Sequence, residues 1–178
     1  TNLSEADLSD ANLNQAILED ANLEGSTLNK ANLSEAMLER ANLRNCKLIE
    51  SNLTNANLNE VTCGLADFSR SELTNVKAIG ADFNRVKLSG ANLNNADFTD
   101  SRLSMAVFFE SKFIGTNLNR QHADHSNTAL LIRRLGPARR LEKAHVGVPI
   151  PHGISDLVHG RGRLGTGNQR QKLLLHHP

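Results

Sequence analysis

An apolar residue returns at every fifth position through the first two thirds of this 178-residue chain, without one skipped beat. Written in fives, residues 1–40 read TNLSE ADLSD ANLNQ AILED ANLEG STLNK ANLSE AMLER. The third position of each pentad falls at residues 3, 8, 13 and onward to 118. Of these 24 positions Leu fills 17 and Phe five (Phe68, Phe83, Phe98, Phe108, Phe113), and Cys63 and Ala78 complete the set. With 39% hydrophobic residues in the chain, that register arises by chance with a probability on the order of 10⁻¹⁰. The first position is equally restricted: 13 Ala, five Ser, three Val, two Thr and one Cys.

A period of five fits neither an amphipathic helix (3.6) nor an alternating strand (2.0). It fits a chain in which each pentad makes one straight edge and one corner. The central Leu or Phe and the small residue two places before it point inward, and the other three face water. Four edges close a square coil of 20 residues, and coils stack through parallel β-bridges. A tube this narrow has no room for two large side chains per edge, hence the small first position. Gly, Asn, Asp and Ser near the corners suit tight turns. Aromatic residues are only 3% of the chain, with no Trp or Tyr, which disfavours an ordinary globular core built on bulky rings.

The triplets Ala6-Asp7-Leu8, Ala11-Asn12-Leu13, Ala31-Asn32-Leu33, Ala91-Asn92-Leu93 and Ala96-Asp97-Phe98 resemble the A(D/N)LXX consensus of the pentapeptide-repeat family. The resemblance covers residues 1–120 and implies a right-handed quadrilateral parallel β-helix of about six coils. The hand comes from the resemblance; the period alone does not give it.

A 20-residue coil makes residues 20 apart stacked neighbours, about 4.8 Å from rung to rung, where opposite charges favour one another. The fifth-position series Asp10, Lys30, Glu50, Arg70 alternates in sign at every step, as does Asp20, Arg40, Glu60. Glu24 meets Arg44, Lys47 meets Asp67 and then Lys87, Lys77 meets Asp97, and Asp82 meets Arg102; Glu19 over Glu39 is the like-charge exception. Asn2, Asn22 and Asn42 line up in one column and Asn12, Asn32 and Asn52 in another, an arrangement in which stacked amides hydrogen-bond along the column.

Composition breaks near Arg120. Residues 1–120 carry 16 acids and 11 bases, whereas residues 121–178 carry three and nine, together with all seven His and all four Pro. The expected organisation is a β-helix over 1–120, a helical capping segment over 121–145 with a short helix at 126–135 (SNTALLIRRL), and an irregular basic tail over 146–178. Met105, Val107, Phe109 and Ile114 fall at outward positions of the last coil and read as the patch on which the cap docks, with a partner-binding patch as the alternative. Thr1-Asn2-Leu3 is already in register, so the first rung carries no cap of its own. End-to-end pairing or a C-terminal dimer therefore stays open, and so does a segment removed from ahead of Thr1.

A tube filled with Leu, Phe and Ala leaves no pocket for convergent catalytic groups. The sequence therefore points away from an enzyme and away from a small-molecule substrate, with no catalytic, cofactor or metal-binding residues. Cys46 and Cys63 fall at inward positions and read as small hydrophobes. The His residues lack Cys or carboxylate partners at ligand spacing. Gly160-x-Gly162-x-x-Gly165 lacks the strand–turn–helix context of a dinucleotide site. No stretch approaches the ~20 apolar residues of a membrane helix, so no membrane partner is expected. No secretory signal opens the chain, and a cytoplasmic location is the expectation.

The acids that remain concentrate early. Residues 1–60 hold ten acids and four bases, net −6, while residues 61–120 hold six and seven, net +1. Glu5, Asp10, Glu19, Asp20, Glu35 and Glu39 form the candidate acidic interaction face. The reading that follows is a non-enzymatic solenoid scaffold or protein-binding module of unspecified partner. The alternative, implied by the family resemblance, is an acidic DNA mimic that binds a type II topoisomerase such as gyrase.

Overall fold

In the computed structural model, which describes residues 1–120, each pentad is built on one turn repeated 24 times. The N–H of the next pentad's first residue donates to the carbonyl of the central residue, as Ala6 does to Leu3 at 3.2 Å and Ala36 to Leu33 at 3.1 Å. Every fifth-position residue has a positive φ, from 53° at Arg120 to 74° at Gly115. A turn with positive φ at its third residue only is type II. An L-residue pays about 1–2 kcal/mol in that region, Asn and Asp less, and Gly nothing. Gly, Asn or Asp accordingly stands at Asp10, Asp20, Gly25, Asn45, Asn55, Asn75, Gly80, Gly90, Asn95, Asp100 and Gly115.

Twenty parallel bridges hold the coils together, and each joins second-position residues 20 apart, from Asn2 with Asn22 to Asp97 with Asn117. Residues 1–20 form coil 1, 21–40 coil 2, and so on to coil 6 at 101–120. Face 1 carries pentad 1–5 and its repeats at intervals of 20, face 2 begins at 6–10, face 3 at 11–15 and face 4 at 16–20. Between rungs each pentad makes three backbone hydrogen bonds, as in Leu23 N–H to Asn42 (2.8 Å), Gly25 N–H to Arg44 (2.8 Å) and Asn42 N–H to the Ala21 carbonyl (2.9 Å).

The fourth-position N–H has no backbone acceptor, and here the Asp/Asn of the consensus finds its use. Every Asn or Asp at a second position accepts from the N–H two residues on, as Asn52 does from Thr54 at 3.0 Å and Asp97 from Thr99 at 3.0 Å. This is an Asx turn, which supplies the backbone with an acceptor it would otherwise take from water. In four of the eleven pentads whose second residue is neither Asn nor Asp, a fourth-position Asn one coil earlier serves instead: Asn29 for Ile49, Asn59 for Ile79, Asn84 for Ser104 and Asn94 for Ile114.

The interior is apolar and closed to solvent. Central and first-position side chains from Leu18 to Leu118 are buried, while Leu3, Leu8, Leu13 and Ala16 of coil 1 pack against this core half-exposed. Serines at the first position satisfy themselves inside: the hydroxyls of Ser51, Ser71 and Ser101 each donate to the carbonyl three residues back at 2.7 Å. Cys46 and Cys63 are free and buried, and burial pushes both thiols up from their ordinary range.

Two departures in the core compensate each other. Central Cys63 and Ala78 lie one rung beneath Phe83 and Phe98, and in those same pentads the first residue grows to Val61 and Val76. Volume removed from the centre is thus restored beside it and above it, so the tube stays packed. Phe68, Phe83 and Phe98 form a chain of rings with centroids 5.8 and 5.1 Å apart, the second contact edge-to-face, and Phe108 meets Phe113 at 5.2 Å. The cap helix expected at 126–135 and the tail lie outside the described residues.

Candidate interaction surface

Outward side chains stand at second, fourth and fifth positions, and the coil fixes which of them share a surface. It divides the six acidic residues singled out in the sequence. Glu5, Asp10 and Glu35 sit at corners following faces 1, 2 and 3; Glu19, Asp20 and Glu39 share face 4. Arg40 holds that last group together. Its guanidinium grips Asp20 through Nε at 2.9 Å and Nη2 at 3.0 Å, and Nη1 reaches Glu39 at 2.5 Å. Such a two-pronged bond is the strong form of an exposed ion pair. Arg40 lowers the Asp20 carboxyl below its usual range, and Asp20 raises the guanidinium in return. The same bridge pairs one member, Glu39, of the Glu19–Glu39 stack expected to be repulsive. Glu39 also accepts from Asn57 Nδ2 at 3.2 Å, which lays its carboxylate over the second-position column.

The charge ladders have the expected register, but only some of their steps close into ion pairs. Arg70 reaches Glu50 at 2.9 Å, Lys87 reaches Asp67 at 3.5 Å and Arg120 reaches Asp100 at 3.9 Å. Partial burial works against ionisation of Asp67, yet bonds from the Ser69 hydroxyl and N–H, with Lys87 nearby, hold it below its usual range. Lys47–Asp67, Lys77–Asp97 and Asp82–Arg102 are bridged neighbours that form no ion pair among the described residues. Both expected amide columns are present, with Asn22 donating to Asn2 (3.4 Å), Asn42 to Asn22 (3.2 Å), Asn32 to Asn12 (3.4 Å) and Asn52 to Asn32 (3.5 Å). A third runs Asn95 to Asn75 to Asn55 at 3.2 and 3.0 Å. It stops at Gly115, where an added Cβ would fall 2.3 Å from the Asn95 side-chain amide oxygen, Oδ1.

On the last coil Met105, Phe109 (59% exposed) and Ile114 stand in solvent at successive edges, and Val107 is half-buried. A shallow depression of about 480 Å³ there is lined by Glu110, Lys112, Phe113 and Ile114. Sequence reasoning overlooked a second apolar spot: Ile17 (73% exposed) and Met37 (38%), bridged neighbours on face 4. The signal was present, since both occupy second positions where Asn or Asp is the rule. Among the described residues no three His, Cys, Asp or Glu converge on a metal-binding arrangement, and no helix is long and apolar enough to cross a membrane.

Comparison with known proteins agrees with this geometry. A family model described as a pentapeptide repeat region matches residues 2–76, and one described as pentapeptide repeats, eight copies, matches residues 66–104 and 88–120. No curated protein matches the chain. Among solved structures, a pentapeptide repeat protein from the Arabidopsis thaliana thylakoid lumen is 22% identical over 62% of this chain and 77% of its own, with a TM-score of 0.58. QnrB1, a plasmid-mediated fluoroquinolone resistance protein solved after trypsin treatment, is 18% identical over 74% of this chain and 84% of its own, with a TM-score of 0.54. These likenesses show the fold, the quadrilateral β-helix, and supply its right-handed sense.

Proposed function

We propose that this chain, which belongs to the pentapeptide-repeat family through residues 2–120, works as a non-enzymatic scaffold whose flat faces bind protein. The observation that carries the reading is how the side chains are divided. Central and first positions are spent on filling the tube, so chemistry is left to the outward columns, whose spacing the backbone fixes at one rung. A rigid surface with preset spacing loses little conformational freedom on binding, which favours recognition over catalysis. The test is capture of protein partners by the immobilised chain, compared with the triple charge reversal Glu19→Lys, Asp20→Lys, Glu39→Lys. The scaffold reading expects at least one partner held by the wild type under stringent salt. A chain that holds none, or that turns over a metabolite, contradicts it.

A second reading takes the acidic coils to occupy the nucleic-acid groove of a type II topoisomerase. The net charge of −6 over residues 1–60 favours it. The spread of Glu5, Asp10 and Glu35 to three other corners and the Arg40 clasp weigh against it. A gyrase supercoiling assay decides: neither inhibition nor protection at micromolar protein removes this reading.

A further inference from the structure

We infer that Ile17 and Met37, with the carboxylates around them on face 4, form a docking site for a cationic amphipathic segment of a partner protein. This rests on the scaffold reading and gives it an address. Ile17 is the most exposed of the large hydrophobic residues among those described, and Met37 is its parallel-bridge neighbour one rung above. Both depart, at a cost, from the Asn or Asp that fills eight of the twelve second positions in coils 1–3. An Asn or Asp in either place would accept from the N–H two residues on, as every Asn and Asp at that position does. With Ile17 and Met37 in place, Glu19 and Glu39 lack that Asx acceptor, and apolar area stands in water as well. The fold recovers neither loss, since both side chains point away from the core. Sites that sacrifice local consistency without a structural return mark surfaces kept for another purpose.

The surroundings select the occupant. Glu19, Asp20 and Glu39 face one guanidinium, that of Arg40, and Glu39 is held over the column by Asn57 at 3.2 Å. Glu19 makes no ion pair among the described residues. Three carboxylates against one cation repel the phosphates of nucleic acid and anionic lipid and attract Lys and Arg. Two apolar side chains on adjacent rungs, about 4.8 Å apart, accept one or two apolar residues of a partner. The matching ligand is therefore a protein segment with a short apolar stripe flanked by Lys or Arg.

The test uses the full chain and fluorescence anisotropy with three labelled twelve-residue peptides: Leu/Lys with Leu on one helical face, Lys/Ser of equal charge, and Leu/Glu. The site predicts that the Leu/Lys peptide binds, that Lys/Ser binds at least tenfold more weakly, and that Leu/Glu does not bind. Ile17→Asn with Met37→Asn restores the Asx residues and extends the amide column to Asn57, so this variant melts no lower than wild type. It nevertheless loses at least tenfold in affinity for Leu/Lys. Glu19→Gln with Glu39→Gln weakens binding several-fold and flattens its salt dependence. Undiminished binding by the Asn variant places the contact elsewhere, which overturns the inference and leaves the scaffold reading standing. Absence of Leu/Lys binding to the wild type at millimolar peptide also overturns it, and the scaffold reading is then judged by partner capture alone.

Discussion

Coils 1–3 and coils 4–6 share one backbone but fill and dress it differently. Every central residue from Leu3 to Leu58 is Leu, and most second positions are Asn or Asp. From residue 61 onward Phe enters the centre, Cys63 and Ala78 make room for it, and fourth-position Asn residues take over part of the turn bonding. The upper half accommodates these rings inside the tube: Phe68, Phe83 and Phe98 are fully buried. The difference shows that this fold needs a filled interior, with volume shared between neighbouring rungs, and that side-chain acceptors for the fourth-position N–H can come from either of two columns.

The strongest way to break the comparison is to place a charge in either half. Leu53→Lys puts an ammonium at a site with no solvent access, a cost of several kcal/mol in practice, and circular dichroism should report loss of the cooperative transition. Next, Phe83→Ala should cost about 3–5 kcal/mol, and Leu28→Ala about 2–5, read from denaturant midpoints. A double-mutant cycle sharpens the point about volume. Cys63→Leu alone overpacks beneath Phe83 and should cost about 1–3 kcal/mol. Adding Val61→Ala returns the pentad to the Ala/Leu plan and should recover part of that loss. Strictly additive effects would contradict volume sharing within the pentad.

The turn bond and the surface ladders follow with smaller effects. Asn52→Ala removes acceptors for both the N–H and the hydroxyl of Thr54 and should cost about 1 kcal/mol. Lys30→Glu, at an exposed corner, should change stability by a few tenths of a kcal/mol and more at low salt than at high. Acid gives the mildest test. Arg40 lowers the folded-state carboxyl of Asp20, so the stabilisation is present above the unfolded value near pH 4 and is lost as pH falls through the lower folded value. The melting temperature of the wild type should therefore drop below about pH 4 more steeply than that of Arg40→Ala.

The fold was legible because its signal repeats. One Leu at position 33 says little, but 24 central positions in register leave one geometry, and Asn2, Asn22 and Asn42 disclosed the rung length. The site was less legible because charge counts carry no azimuth. Glu5 and Glu19 look alike in a linear count, yet the coil places them at different corners. The Asx role of the second position was also hidden, since it concerns an N–H that no sequence displays. Once that role is known, Ile17 and Met37 stand out as the second-position residues that abandon it for a large, exposed apolar side chain.

Engineered cysteine pairs give the most direct measurement of the rung itself. Directly paired residues on adjacent parallel rungs lie about 4.8 Å apart, within the 4.4–6.8 Å that a disulfide requires between Cα atoms. Asn12→Cys with Asn32→Cys should cross-link under mild oxidation while the native fold persists, and Asn12→Cys with Asn22→Cys, on faces 3 and 1, should remain reduced. Efficient cross-linking of the ten-residue pair, or none of the twenty-residue pair, would contradict a four-sided coil.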